Sequence, residues 1–518
     1  MAELKVKPPL RPEAQPATAT VLQDSFLRVQ QAEALRLHGR FDQAQAICES
    51  LLRSNPDYVA ALHTLGLVLA DQERHRDALS YLVRAVMLNP LGWTALTALA
   101  GVYLRLGAIE MAAQTIEQAI AIEPGDAGVH LMLGDIRREQ CEYEIARDAY
   151  RRALTIDPGM VEAEIGMGWC CAEIGDFAKA VEAFEGAAGR NPRLIEPLRA
   201  LAAFPAGEVR INLLAQLERM ARDRRDDDAE FQISAAFIRS AALDRAGRHA
   251  EAWKCVGDAN RTMLRGMTSS LKQLAENRRT SLATLREQKE TSERREPSGG
   301  EIPISLFILG PSRSGKSTME KLVSGLAGVK RGYENPIVEL AVRRTFQLSA
   351  LPTDSRLSQL PPPAHPLCRR IYLLELTRRT GQARIFTNTN SAGIFEAASI
   401  ATVFDRTRFI LVKRKLDDNL LRIYLRKYGE ANAYAYDLKT AREHIQWYHQ
   451  MIDLMAAKFP NIVRIVHYED MVADPDLALR MAADLCEASV HDGHSTSITG
   501  DPDCAAPYRE FISAELDD

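Results

Sequence analysis

Nine consecutive residues carry the most specific chemistry in this 518-residue chain: Gly310-Pro311-Ser312-Arg313-Ser314-Gly315-Lys316-Ser317-Thr318. They follow a short apolar run, IPISLFIL, and precede a segment with helical texture. A tight glycine-containing turn in that context points several backbone N–H groups into one concavity at a helix N-terminus, and such a concavity binds phosphate. Arg313 and Lys316 add charge, and Ser317 and Thr318 offer hydroxyl donors, so Arg313, Ser314, Gly315, Lys316, Ser317 and Thr318 are the candidate phosphate-binding residues. The loop specifies a phosphate and leaves the reaction open. A nucleotide-hydrolysing enzyme or kinase needs Mg²⁺, held by the loop hydroxyl and by an acidic residue closing another strand. No candidate strand ends that way: RFILVK runs into Lys413 and Arg414, and NIVRIVHY reaches Glu469-Asp470 only after His467. His444, His449 and His467 lack metal-ligand spacing and read as structural. Trp447, Met451 and Met455 recur every four residues, the mark of a helix core face.

The elements that position the loop follow from the pattern around it. From Ile302 onward, short apolar runs (IPISLFIL, CRRIYLLEL, ARIFTN, RFILVK, NIVRIVHY) alternate with helical-looking segments. Strands alternating with helices predict a parallel sheet covered by helices on both faces.

The N-terminal half has a different texture. Pro56, Pro90, Pro124, Pro158 and Pro192 recur every 34 residues. Twelve residues before each proline stand Ala44, Ala78, Ala112, Ala146 and Ala180; five residues before stand Leu51, Ala85, Ala119, Ala153 and Ala187. Gly66, Gly134 and Gly168, with Ala32 and Ala100, fill the equivalent site on the preceding helices. Small residues let antiparallel helices approach closely, and each proline ends the second helix of its unit. The pattern resembles five consecutive tetratricopeptide (TPR) repeats over residues 25–194. AALDRAGRHAEAWKCVGDANRTML repeats the same logic, with Gly247 at the turn and Ala252 and Ala259 at packing sites, so residues 195–265 read as degenerate capping helices. Residues 266–301 read as a linker, partly helical before ERREPSGG, which predicts halves that fold largely independently. The expected fold is therefore an α-solenoid followed by an α/β domain over 302–518.

Over nearly all of residues 25–475, the last repeat-like unit ALDRAGRHAEAW…GDANRTML included, the chain is similar to sulfotransferases of the tyrosylprotein and TPR-fused bacterial type. Ser312-Arg313-Ser314-Gly315-Lys316-Ser317 looks like their P-R-S-G-T-T loop, and Arg331-Gly332-Tyr333-Glu334 stands where they carry an R-x-G-x-E-like segment. Lys413 through Tyr424 corresponds to R-R-D-P-R-D-x-x-x-S-I-Y, and the stretch from AYAYDL to VHYEDMVADP matches over more than forty residues. The resemblance implies metal-free transfer of a sulfuryl group from 3′-phosphoadenosine 5′-phosphosulfate to an acceptor hydroxyl. It implies Glu334 as the catalytic base, the loop residues on the 5′-phosphosulfate, and Arg414 on the 3′-phosphate, with Arg422 in place of the family's serine. The alternatives are a P-loop kinase or NTPase joined to a partner-binding TPR domain, and a TPR scaffold whose second domain only binds nucleotide. The departures are Lys316 for a usual threonine, Arg422, and Thr387-Asn388-Thr389-Asn390-Ser391, where a T-D-K-x-P element has lost its lysine and proline. The C-terminal stretch HDGHSTSITGDPDCAAPYREFISAELDD has no W-R-R-Y segment of the kind that covers the nucleotide.

Composition bounds the rest. The chain is 46% hydrophobic and 26% charged with a net charge of −4, which gives no electrostatic case for a nucleic-acid or membrane partner. No apolar run approaches the roughly 18 residues of a spanning helix. MAELKVKPPLRPEAQPATAT lacks a hydrophobic signal core, so residues 1–24 read as a disordered tail. Eight cysteines without zinc-type or disulfide spacing suit reduced thiols in a cytoplasm. The concave face of the repeats is expected to bind a protein or peptide.

Overall fold

The computed structural model describes residues 19–204, 207, 209–222, 228–287, 302–349, 356–491, 498 and 500–517. Most of the N-terminal tail and the ERREPSGG stretch lie outside them.

Packing divides the chain between Cys170 and Cys171: one compact unit runs up to Cys170, apart from Gln140–Glu142, and the other comprises those three residues and everything from Cys171 on. The first unit is built from antiparallel helix pairs such as Phe41–Ser54 with Val59–Asp71, and Ala127–Glu139 with Tyr143–Ile156. Ala44, Ala78, Ala112 and Ala146 are fully buried, as are Ala85, Ala119 and Ala153. A Cβ on Gly134 would lie 2.5 Å from the Tyr150 ring, so the repeat demands a residue without a side chain there. The inter-helix turns share a left-handed residue at the same repeat position: Gly39 (φ +72°), Glu73 (+61°), Gly107 (+72°), Cys141 (+57°) and Gly175 (+97°).

Among the described residues the second unit has five parallel strands: β1 (Ile304–Leu309), β2 (Val329–Lys330), β3 (Ile385–Asn388), β4 (Thr407–Lys413) and β5 (Val463–His467). Their order is β2-β3-β1-β4-β5, with β1 at the centre and fully buried. One expected strand is a helix. CRRIYLLEL lies inside His365–Thr380, where Cys368, Ile371, Tyr372, Glu375, Leu376 and Arg379 are buried. That spacing of three and four is helical, and an apolar run alone does not separate it from a strand. The two-residue β2 is too short to leave a periodic signal.

Helices Ala229–Arg245, His249–Leu264 and Thr268–Glu287 pack on the sheet domain. Phe237, Val256, Ala259, Met267 and Leu274 share one apolar core with Leu420, Tyr424, Tyr434, Tyr436 and Tyr508. Asn260 Nδ2 donates to the Tyr424 carbonyl (3.1 Å), and Trp447 Nε1 to that of Arg278 (3.0 Å). The packing boundary therefore differs from the expected split at the linker. The capping helices bury their last apolar face against the α/β domain instead of exposing a polar one.

Candidate functional site

Parallel strands gather chemistry at their C-terminal edge, and this sheet does so. The loop follows β1, Thr389–Ser391 follows β3, Arg414 follows β4 and Tyr468 follows β5. A cavity of about 390 Å³ opens at the opposite edge, lined by Ile302, Arg384, Arg406 and Cys486, and shares no residue with the loop.

The loop adopts the shape its motif requires. Gly315 (φ +103°) caps the helix Lys316–Val323, whose first N–H groups have no intrahelical partner. Arg313 also takes a positive φ (+62°), a strain of the kind found at ligand sites. Ser314 is fully buried, and its hydroxyl has no hydrogen-bond partner. Arg313 and Ser317 are exposed. Asn419, also fully buried, donates to the Ser312 carbonyl at 2.7 Å while its Oδ1 has no partner. The loop thus presents polar groups that a phosphate would satisfy.

Lys316 turns away from the loop turn. Its amine is buried, contacts Ser391 Oγ, and lies 3.6 Å from Glu334 Oε1. Burial pushes its pKa below the usual lysine range, and the Glu334 charge opposes that shift. The loop lysine thus brings a cation to the Thr389–Ser391 element, where the resemblance had called for one.

Glu334 sits on a turn held at almost every backbone group. Tyr333, in left-handed conformation (φ +55°), donates its N–H to Glu320 Oε1 (3.0 Å), and its carbonyl accepts from Thr389 N (2.8 Å). Gly332 N donates to Thr387 Oγ1 at 2.9 Å, and Asn335 Nδ2 bonds the Gly332 carbonyl at 3.0 Å. A Cβ on Gly332 would lie 2.1 Å from the Thr387 carbonyl oxygen, so only glycine permits this approach. Tyr333 and Asn335 are buried, whereas the Glu334 side chain is 64% exposed. The turn offers one carboxylate to the cleft.

The arginines after β4 are arranged differently. Arg414 is buried and stacks on Tyr468, 4.1 Å from the ring centre. It donates to the Arg313 carbonyl (3.3 Å) and forms an ion pair with Asp501 Oδ1 at 2.9 Å. Arg422 pairs with the other Asp501 oxygen, and Tyr468 OH donates to Asp501 at 2.9 Å. Asp418 instead accepts the N–H groups of Asp503 (2.9 Å) and Ala505 (2.8 Å), tying the C-terminal segment down. Arg414 and Arg422 therefore converge on one carboxylate.

The sequence named the loop, Glu334 and both arginines as candidates. It did not single out Asn419, Asp501 or Tyr428, whose hydroxyl meets Ser312 Oγ at 3.2 Å. It also missed Arg426, whose pKa falls to about 9 through burial and the neighbouring Arg313 charge. The histidines behave as structural groups. Burial lowers His444 to about 3 and His449 to about 4, and His444 stacks on Tyr434 at 3.9 Å.

Residues 303–492 match the sulfotransferase family, and residues 29–75, 63–127 and 131–194 match the tetratricopeptide repeat. The chain carries a sulfotransferase-family domain behind N-terminal tetratricopeptide repeats, the arrangement of a TPR-fused sulfotransferase-family protein. Among curated proteins it is similar to the mouse protein O-mannosyl-transferase TMTC1, 28% identical over 26% of this chain and 14% of that protein. It is also similar to the tetratricopeptide repeat and J domain-containing co-chaperone DNJ1 of Fusarium oxysporum, 25% identical over 35% of this chain and 37% of that protein. The chain thus spans well under half the length of either relative. The crystal structure of TTC0263, a TPR protein of Thermus thermophilus, is similar at 20% identity, covering 35% of this chain and 98% of that one with a TM-score of 0.32. The sulfotransferase-family domain supports a sulfuryl-transfer-type function, and the repeats suggest protein–protein interaction. Among the described residues no helix is long and apolar enough to cross a membrane, and no cluster of three or more His, Cys, Asp or Glu could hold a metal ion.

Proposed function

We propose that this protein transfers a sulfuryl group from 3′-phosphoadenosine 5′-phosphosulfate to an acceptor hydroxyl without a metal ion. One observation carries the reading: a carboxylate, Glu334, projects from an otherwise buried, hydrogen-bonded turn and stands 3.6 Å from the phosphate-loop lysine. A base beside a phosphate cradle is the pairing that in-line transfer needs. In this account Glu334 takes the acceptor proton as the acceptor oxygen bonds to sulfur and the bond from sulfur to the donor's phosphate oxygen breaks. Arg313, Lys316, Ser317, Thr318 and the loop amides, with Ser314 and Gly315 shaping the cradle, stabilise the charge left on the 5′-phosphate. Arg414 and Arg422 take the 3′-phosphate, for which paired guanidinium groups are suited. That phosphate must displace the Asp501 carboxylate, which satisfies the same arginines with less charge.

The concave face of the repeats would recruit a protein, either the acceptor or a partner, and the site itself is compatible with a cytoplasmic enzyme. The test is transfer of labelled sulfate from the donor to proteins of the source cell with EDTA present. Labelled acceptor supports the reading. Phosphoryl transfer from ATP–Mg²⁺ in its place would move the protein to the kinase class, and nucleotide binding with no transfer to any acceptor would make it a scaffold.

A further inference from the structure

We propose that the inter-helix turn of the fifth repeat is a working part of the transfer site: through Arg331 it fixes the turn that presents Glu334, which makes Arg331 a positioning residue. The functional half of this proposal rests on the reading of Glu334 as the acceptor base.

The Arg331 guanidinium forks in two directions. Toward the repeat, it donates to the carbonyls of Ile174 (3.0 Å) and Glu173 (3.3 Å), the last residues of helix Val161–Ile174. These are carbonyls at a helix C-terminus, which lack intrahelical partners and favour a cation. Toward the site, Arg331 donates to Glu320 Oε2 at 3.1 and 3.3 Å. Its plane lies 4.4 Å from the Tyr333 ring centre. Glu320 is 1% exposed, and its other oxygen accepts from Tyr333 N and Thr387 Oγ1. A continuous set of charge-assisted bonds therefore runs from the repeat turn to the residue immediately before Glu334.

A second contact joins the same turn to the phosphate loop. Gly175 lies against the Lys321 side chain, where an added Cβ would sit 3.6–3.9 Å from it, and the Lys321 ammonium stands 5.9 Å from the Phe177 ring centre. Lys321 belongs to the helix that the loop caps. At the equivalent turns Gly39 and Gly107, an added Cβ would meet nothing within 4 Å. Desolvation raises the Glu173 pKa, and the Glu334 charge raises it further. The fifth repeat's turn thus touches both the base-bearing turn and the phosphate helix.

The test is amide hydrogen exchange on the full chain, with kcat, KM and donor Kd measured alongside. Arg331→Lys keeps a cation for Glu320 but cannot span Glu320 and two carbonyls at once. Gly175→Ala acts from the repeat side. Alanine disfavours φ +97°, and the non-glycine counterparts Glu73 and Cys141 adopt +61° and +57°, so the substitution pulls the Glu173 and Ile174 carbonyls off Arg331. Gly107→Ala is the control, a left-handed repeat turn where an added Cβ meets nothing within 4 Å. We expect exchange at Gly332, Tyr333 and Thr389 to accelerate about fivefold or more in Arg331→Lys and Gly175→Ala, and not in Gly107→Ala. kcat should fall in the same two variants while donor Kd stays within about twofold. Unchanged exchange in Arg331→Lys would overturn the positioning role. Equal responses of Gly175→Ala and Gly107→Ala would overturn the part played by the repeat. Exchange responses as expected, in a protein that transfers no sulfate, would contradict the functional half alone and leave the anchoring in place.

Discussion

Two regions proposed to bind anions lie side by side at the C-terminal edge of the sheet, and they differ in how their charged and polar groups are partnered. The loop after β1 is open, with the buried Ser314 hydroxyl unpartnered and Arg313 exposed. The arginines after β4 are closed, with Arg414 and Arg422 both on Asp501. An unsatisfied buried hydroxyl costs free energy until a ligand supplies its partner, whereas an arginine already ion-paired, even with its Nε unpartnered as in Arg414 and Arg422, must exchange one anion for another. The loop should therefore set whether an anion binds, and the arginine pair should set which anion can replace the chain's own carboxylate.

The strongest expected effect sharpens this division by leaving both regions intact. Glu334→Gln should slow sulfate transfer roughly 10²-fold or more while donor-nucleotide affinity hardly changes. An equally active Glu334→Gln enzyme would remove this residue from the mechanism. Next come the regions themselves. Arg313→Ala, and separately Arg414→Ala, should each weaken donor binding by about 1.5–3 kcal/mol in calorimetric titration. The Arg414 loss should vanish for a ligand lacking the 3′-phosphate, and the Arg313 loss should remain. Equal losses with both ligands would break the comparison.

Asp501→Asn should act in the opposite direction. Removing the internal carboxylate frees the arginines, so a 3′,5′-bisphosphate should bind tighter by about 1 kcal/mol. Weaker binding would mean that Asp501 orients the arginines and does not compete for their ligand. Tyr468→Phe keeps the ring under Arg414 and deletes the hydroxyl on Asp501. It should shift affinity the same way by less, about 0.5 kcal/mol.

What the sequence disclosed follows the range of each interaction. The repeats were legible because Pro56 to Pro192 and the alanines before them act locally, within one helix pair. The phosphate loop was legible for the same reason, since strand, turn and helix are contiguous. CRRIYLLEL misled because a buried helix face and a buried strand can share an apolar run. Asp501 was illegible from Arg414, 87 residues away, as were the Glu173 and Ile174 carbonyls that hold Arg331 from 158 and 157 residues away. Lys316 reaches Ser391, beside Thr389 where the resemblance calls for a lysine, and motif spacing alone does not bring the two together.

The proposed site binds an adenosine nucleotide carrying a 3′-phosphate without a metal ion. The most direct measurement is titration of the full chain, in EDTA, with adenosine 3′,5′-bisphosphate, set against adenosine 5′-monophosphate and ATP–Mg²⁺. We expect the bisphosphate to bind without metal and the monophosphate to bind at least about tenfold more weakly, the factor that corresponds to about 1.4 kcal/mol for the arginine contacts. Binding of ATP–Mg²⁺ alone, with no heat from the bisphosphate, would contradict the account.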